Sequence, residues 1–191
     1  MQTTDSKKCY DNAMKNQEKK LSCEMIYEGK VISVSKDRVL CPNGETSLRE
    51  IVYHRGGVAI LIKVDDRFIM EKQYRYAFDD DIYEIPAGKL EEGEEPLPAA
   101  ERELLEETGY HPLEMIFLGD MYPTVGYSKE VIHLYYCEKH VKEERHLDSD
   151  ESIDLMFLSM DEIDVLINNN KIKDSKTIAA IYLYKNKILG K

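Results

Sequence analysis

Residues 88–110 read GKLEEGEEPLPAAERELLEETGY, and their spacing sets both a local structure and a chemistry. Pro96 and Pro98 suit the first turn of a helix, where a missing N–H is tolerated, and Gly109 suits a left-handed stop at its end. Acidic residues ahead of Pro96 crowd the positive end of the helix dipole. A helix over Pro96 to Glu107 is therefore expected, with Leu97, Ala100 and Leu104 on one side and packed on a sheet. Glu103, Glu106 and Glu107 stand at i, i+3 and i+4, so one helix face carries three carboxylates. Left alone, such neighbours repel by roughly 0.2–0.5 kcal/mol per pair. A divalent cation turns the repulsion into ligation, and hard oxygen donors with retained waters suit Mg2+ or Mn2+. The same ion would offset phosphate charge and lower the pKa of a water. A solitary acidic helix is more often a solvated face, with Arg102 as an ordinary salt-bridge partner.

Upstream of this stretch, a short strand is expected before Pro86-Ala87-Gly88, preceded by a hairpin of Val58 to Val64 and Arg67 to Tyr74 around Asp65-Asp66. Gly56-Gly57 reads as a hinge. Before it, Lys30 to Leu40 and Ser47 to His54 are rich in Val and Ile around Pro42-Asn43-Gly44, a second hairpin pattern. Residues 1–22 are polar and read as a frayed tail or a loosely held helix. Downstream, strands are expected at Met115 to Gly119, Val131 to Cys137 and Ile153 to Leu158, and helices at Met160 to Asn168 and Ser175 to Lys185. Strands and helices mix without a regular βαβ alternation, which predicts an α+β fold or a mixed sheet between helices. Three regions follow: a tail over 1–22, a strand region over 23–55 and a main domain over 56–191.

At 191 residues and 42% hydrophobic content the chain can build a full core. Its net charge of -11 repels phosphate backbones and acidic lipid surfaces, so neither nucleic acid nor membrane is an expected partner. A phosphate-bearing substrate then needs local help from a metal or a few arginines. No apolar run reaches bilayer length, and the first twenty residues lack the apolar core of a signal peptide. Cys9, Cys23, Cys41 and Cys137 show no metal-binding spacing and are expected as reduced thiols of a cytoplasmic protein.

The whole of residues 88–110 resembles the Nudix hydrolase family, whose signature is G-x5-E-x7-R-E-U-x-E-E-x-G-U, with U a bulky apolar residue. Gly88, Glu94, Arg102, Glu103, Leu104, Glu106, Glu107, Gly109 and Tyr110 fill it, with tyrosine where an aliphatic residue is more usual. The resemblance implies an α/β/α sandwich with a mixed sheet and hydrolysis of a nucleoside diphosphate linked to another group. It implies metal ligation by Glu103, Glu107 and the Ala87 carbonyl, with Glu106 on a second metal or water. Glu94 is then structural or supporting, and Arg102 orients the carboxylates.

Beyond the signature, YEGKVISV at 27–34, REIVYHRGGVAI at 49–60, QYRY at 73–76, YEIPAGKLEEGE at 83–94 and GYSKE at 126–130 resemble the ADP-ribose pyrophosphatase branch. That branch implies a homodimer whose N-terminal strands form a small antiparallel sheet. It implies Arg49 and Glu50 near the adenosine or the diphosphate, and Arg75 near substrate phosphate. Arginine suits phosphate because its planar fork binds two oxygens at once. Glu151, in LDSDESID with Asp148 and Asp150, matches an acidic loop whose glutamate acts as general base or metal ligand. Two positions depart from the branch: Val125 stands where a loop proline is common, and Val31 and Arg49 stand where an adenine-stacking aromatic is expected, with Tyr27 or Tyr53 as possible substitutes. The same chemistry on a nucleotide sugar or another dinucleoside diphosphate is one rival reading. A non-cleaving ADP-ribose sensor is another, disfavoured because the carboxylates are intact and no DNA-binding region is appended.

Overall fold

The computed structural model describes residues 16–147 and 152–190, which divide into two units. One unit ends at His54 and takes in Gly126–Lys129. It holds a three-stranded antiparallel sheet of β1 (Lys19–Glu28), β2 (Ile32–Leu40) and β3 (Thr46–His54). The turn between β2 and β3 forms at Pro42-Asn43-Gly44. Gly44 adopts φ 85°, its N–H reaches the Cys41 carbonyl at 2.9 Å, and the Asn43 side chain accepts from the Glu45 N–H at 3.1 Å. The segment 126–129 joins this unit through the Val52 N–H, which donates to the Tyr127 carbonyl at 2.8 Å.

The expected tail is corrected here. Lys19 to Ser22 are strand residues paired with Leu40, Val39 and Arg38, not part of a frayed end. All ten residues of β1 are exposed, so no inward–outward alternation marks it in the sequence.

The second unit centres on a seven-stranded mixed sheet. Its path runs β12 (Ile153–Leu158), β5 (Arg67–Arg75), β4 (Gly57–Val64), β10 (Ile132–Cys137) and β9 (Ile116–Met121). Two further strands attach to it: β6 (Asp80–Glu84) on β5 and β7 (Ala87–Lys89) on β4. Only β4 and β10 run parallel, and every other pair in this sheet is antiparallel. A separate small pair joins β8 (Tyr110–Pro112) to β11 (His140–Lys142).

Strand alternation on β4 makes two cores. Val58, Ile60 and Ile62 face helix α1 (Pro96–Thr108), meeting Ala99, Ala100 and Leu104, with Ile69 and Tyr135 alongside. Ala59 and Leu61 face the other side with Phe68, Met70, Leu134 and Tyr136. There they meet Ile163 of α2 (Met160–Asn168) and Ala180, Ile181 and Tyr184 of α3 (Ser175–Lys187). Helices therefore cover both faces of the sheet, as the sequence predicts. Leu97 departs from expectation: it is 43% exposed, and Ala99 takes the inward place. A small residue there lets the helix lie close to the strands.

β4 and β5 pair only at Lys63–Val64 with Arg67–Phe68, then diverge. The chain from Asp80 to Lys89 fills the opening, pairing first with β5 and then with β4. Residues 84–88 thus cross the sheet directly beneath α1.

Candidate active site

Helix α1 stops where Gly109 adopts φ 70° and its N–H reaches the Leu105 carbonyl at 2.8 Å. The last turns of this helix carry Glu103, Glu106 and Glu107 against the crossing strand. The Ala87 N–H donates to Glu107 Oε2 at 2.8 Å, and Glu107 is only 4% exposed. Glu103 rests on Gly88 so closely that a Cβ built there would lie 1.8 Å from its carboxyl carbon. Gly88 is thus a matter of space, and any side chain would evict the carboxylate.

Arg102 gathers the acidic groups. Its Nε and Nη2 bind Glu94 at 2.9 and 2.8 Å as a fork. Its Nη1 lies 2.9 Å from Glu103 Oε1 and 3.0 Å from Glu106 Oε2. Glu94 also accepts from the Glu91 N–H at 2.9 Å. The Arg102 contact holds the Glu94 carboxyl below its usual range, and Arg102 is held above its own, chiefly by Glu94. Glu94 thus anchors the arginine that spaces the helix carboxylates.

Among the described residues, no three His, Cys, Asp or Glu side chains converge as a ready metal cage. The donor set is nevertheless all oxygen, and it stands on one helix face against a glycine that leaves room for close approach. Glu103, Glu106 and Glu107 therefore fit a hard divalent cation.

Arg75, at the end of β5, forks onto Glu84: Nε to Oε1 at 2.5 Å and Nη2 to Oε2 at 2.9 Å. Burial alone would raise the Glu84 carboxyl, but Arg75 and Lys176 outweigh it and hold it below the usual range. The fields of Glu84 and Glu107 both act on Arg75, so the arginine stands within electrostatic reach of the helix carboxylates.

Arg49 and Glu50 lie on β3 in the other unit. Arg49 is engaged there by Glu18, through Nε at 3.0 Å and through Nη2, and by Ser47 Oγ and the Leu48 carbonyl at 2.9 and 2.8 Å. Glu50 is exposed and sits opposite Lys36. Tyr27 folds over Gly29, and Tyr53 lies 5.3 Å below the Lys129 ammonium. Val125 is 84% exposed. Glu151, with Asp148 and Asp150, lies outside the described residues.

Four polar residues near this centre escape the sequence reading. Glu71 is 3% exposed and its Oε1 has no hydrogen-bond partner among the described residues. Glu84 faces it across β5 and β6. Arg145 donates through Nε to the Glu107 carbonyl and through Nη2 to the Ile153 carbonyl at 3.0 Å, tying the end of α1 to the start of β12. Lys176 reaches Glu84 Oε2 from α3. Glu71 had a legible signal, since it stands two residues after Ile69 and must share its inward face. Lys176 and Arg145 had none, because their partners are 92 and 38 residues away.

The NUDIX domain matches residues 53–181, and the chain belongs to the Nudix family, as a Nudix hydrolase. It is 44% identical to a methanol dehydrogenase activator of Bacillus methanolicus over 86% of this chain and 91% of that one. It is 40% identical to an ADP-ribose pyrophosphatase of Bacillus subtilis over the same shares. A solved ADP compounds hydrolase shares the fold with a TM-score of 0.81, at 20% identity, covering 91% of this chain and 95% of that chain. No helix among the described residues is long and apolar enough to cross a membrane.

Proposed function

We propose that this enzyme hydrolyses ADP-ribose, with one water, to AMP and ribose 5-phosphate, using Mg2+ or Mn2+. The observation that carries the reading is the seating of Glu103 on Gly88 and of Glu107 on the Ala87 N–H. The same segment that binds these carboxylates also ends the strand carrying Glu84, the anchor of Arg75. The substrate class is supported by 40% identity, over most of both chains, to a protein named for ADP-ribose hydrolysis.

Glu103, Glu107 and the Ala87 carbonyl would hold the cation, with Glu106 and Glu151 on a second ion or on water. When bound, the cation supplies charge neutralisation at the phosphates and acidifies water. Arg75 offers Nη1 to a phosphate oxygen while its other edge is fixed on Glu84. Glu151 takes the proton from the attacking water, with Glu106 as the alternative base. Arg102 and Glu94 keep the helix carboxylates apart and oriented. Arg49 and Glu50 bind the adenosine part or the diphosphate.

We assign the three-stranded sheet to homodimer formation. Leu21, Met25, Ile26, Tyr27 and Leu48 are each about half exposed on this small unit, more apolar surface than an isolated sheet leaves in water. The assembled enzyme is assigned to the cytoplasm and to small-molecule chemistry, without nucleic-acid or membrane partners.

The deciding experiment incubates the full chain with ADP-ribose, nucleotide sugars and dinucleoside diphosphates, with and without Mg2+, and measures phosphomonoester release. Fastest metal-dependent release from ADP-ribose is expected. A nucleotide sugar or dinucleoside diphosphate in first place replaces the substrate assignment. Tight ADP-ribose binding without release establishes the sensor instead.

A further inference from the structure

We propose that Lys176 is a positioning residue for the phosphate-binding arginine, acting through Glu84. The inference rests on the reading that Arg75 contacts substrate phosphate. Glu84 has a side chain only 6% exposed, yet it meets two cations: Arg75 on both carboxylate oxygens and Lys176 on Oε2. Lys176 is itself a cation with a side chain 12% exposed, and it lies 3.1 Å from Asp174. Asp174 caps α3, accepting from the Thr177 N–H at 3.0 Å and from the Thr177 hydroxyl at 2.6 Å. Thr177 Oγ1 in turn accepts from the Ile85 N–H at 3.0 Å, one residue beyond Glu84. The first turn of α3 is thus fastened to the crossing strand at two successive residues.

Two physical consequences favour a role in binding. Buried ion pairs are weak stabilisers, because desolvation offsets their attraction, so packing alone does not account for a charged residue here. The four charges of Arg75, Lys176, Glu84 and Asp174 also sum to zero. Removing the lysine leaves the cluster negative beside the place where an anionic phosphate must sit, and it frees Glu84 to turn and draw Arg75 with it. Both effects weaken substrate binding more than the chemical step.

The test compares Lys176→Met, Lys176→Arg and Arg75→Gln by steady-state kinetics with ADP-ribose, alongside thermal melting. Lys176→Met is expected to raise KM about tenfold with kcat within about twofold, the signature of lost uniform binding. Lys176→Arg restores the charge and returns KM toward the parent value. Lys176→Met adds little to KM once Arg75→Gln is present, because both act on one contact. Should Lys176→Met fold poorly, Lys176→Gln keeps a donor to Glu84 without the charge and is expected to raise KM in the same way. A lower melting temperature with unchanged KM in these variants marks a purely structural ion pair and overturns the inference, as does additivity with Arg75→Gln. If Arg75→Gln itself leaves KM unchanged, the assignment of Arg75 falls and this inference with it. If Arg75→Gln raises KM and neither lysine variant does, only this inference falls.

Discussion

The Ala87 N–H donates to Glu107 Oε2 across 2.8 Å, tying the last turn of α1 to the strand beneath it. A carboxylate that accepts a backbone donor is held in one rotamer, which is the preorganisation a metal ligand needs. Glutamine at 107 keeps an oxygen for the Ala87 N–H but loses the charge. Glu107→Gln is therefore expected to fold normally and to lose at least about a hundredfold in turnover. Circular dichroism and metal-dependent turnover check both halves. Near-parent turnover would remove Glu107 from the ligand set.

Gly88→Ala tests the seat of Glu103. The added Cβ would meet the carboxylate carbon at 1.8 Å, so the side chain must swing away. A displacement on the order of 1 Å at a catalytic group can cost about a hundredfold. A loss of that order is expected at saturating Mg2+, with less effect on melting, because Glu103 moves while the core under Leu104 stays packed. An alanine variant with full activity would show that Glu103 need not rest there.

Glu71 gives stability a pH dependence. Burial pushes its carboxyl up to about 8, against the opposing field of Arg145. The unfolded chain releases this proton near pH 4.3, so the folded state holds a proton the unfolded state lacks between roughly pH 4.3 and 8. Stability from this group is complete below the unfolded value and is lost as pH rises through about 8. Glu71→Gln removes the ionisation, and its melting temperature should exceed the parent's by about 5 °C more at pH 9 than at pH 5. A difference that stays flat from pH 5 to pH 9 would refute the account.

Glu151 is assigned to the chemical step from the sequence alone. Loss of a general base costs about a hundred- to ten-thousandfold, and it appears in kcat rather than KM. Glu151→Gln is expected to show that loss, while Asp148→Asn in the same loop is expected to change kcat little. Equal, small effects from both would return the search for the base to Glu106 and Glu94.

The exposed apolar residues of β1 predict self-association. The full chain should sediment at micromolar concentration with twice the mass of one chain. Met25→Glu combined with Ile26→Lys should shift it to monomer, since a charge at a buried contact is costly. A monomeric parent at that concentration would leave the apolar strand unexplained by dimerisation.

The sequence by itself determined the family, the helix and the carboxylate face. These are local facts: the spacing of Glu103, Glu106 and Glu107 fixes their angles around one helix, and Gly109 fixes where that helix ends. The continuous apolar run from Val58 to Ile62 likewise predicted a strand by its length, though only the fold shows that both of its faces are buried. β1 was not legible, because a strand exposed on both faces has no apolar period to read. The role of Gly88, the clamp of Arg145 on Glu107 and the path from Lys176 through Glu84 to Arg75 were decided only by tertiary structure. The first and last depend on the crossing strand and the second on the loop before β12, and contacts between residues so far apart in the chain leave no periodic trace in the sequence.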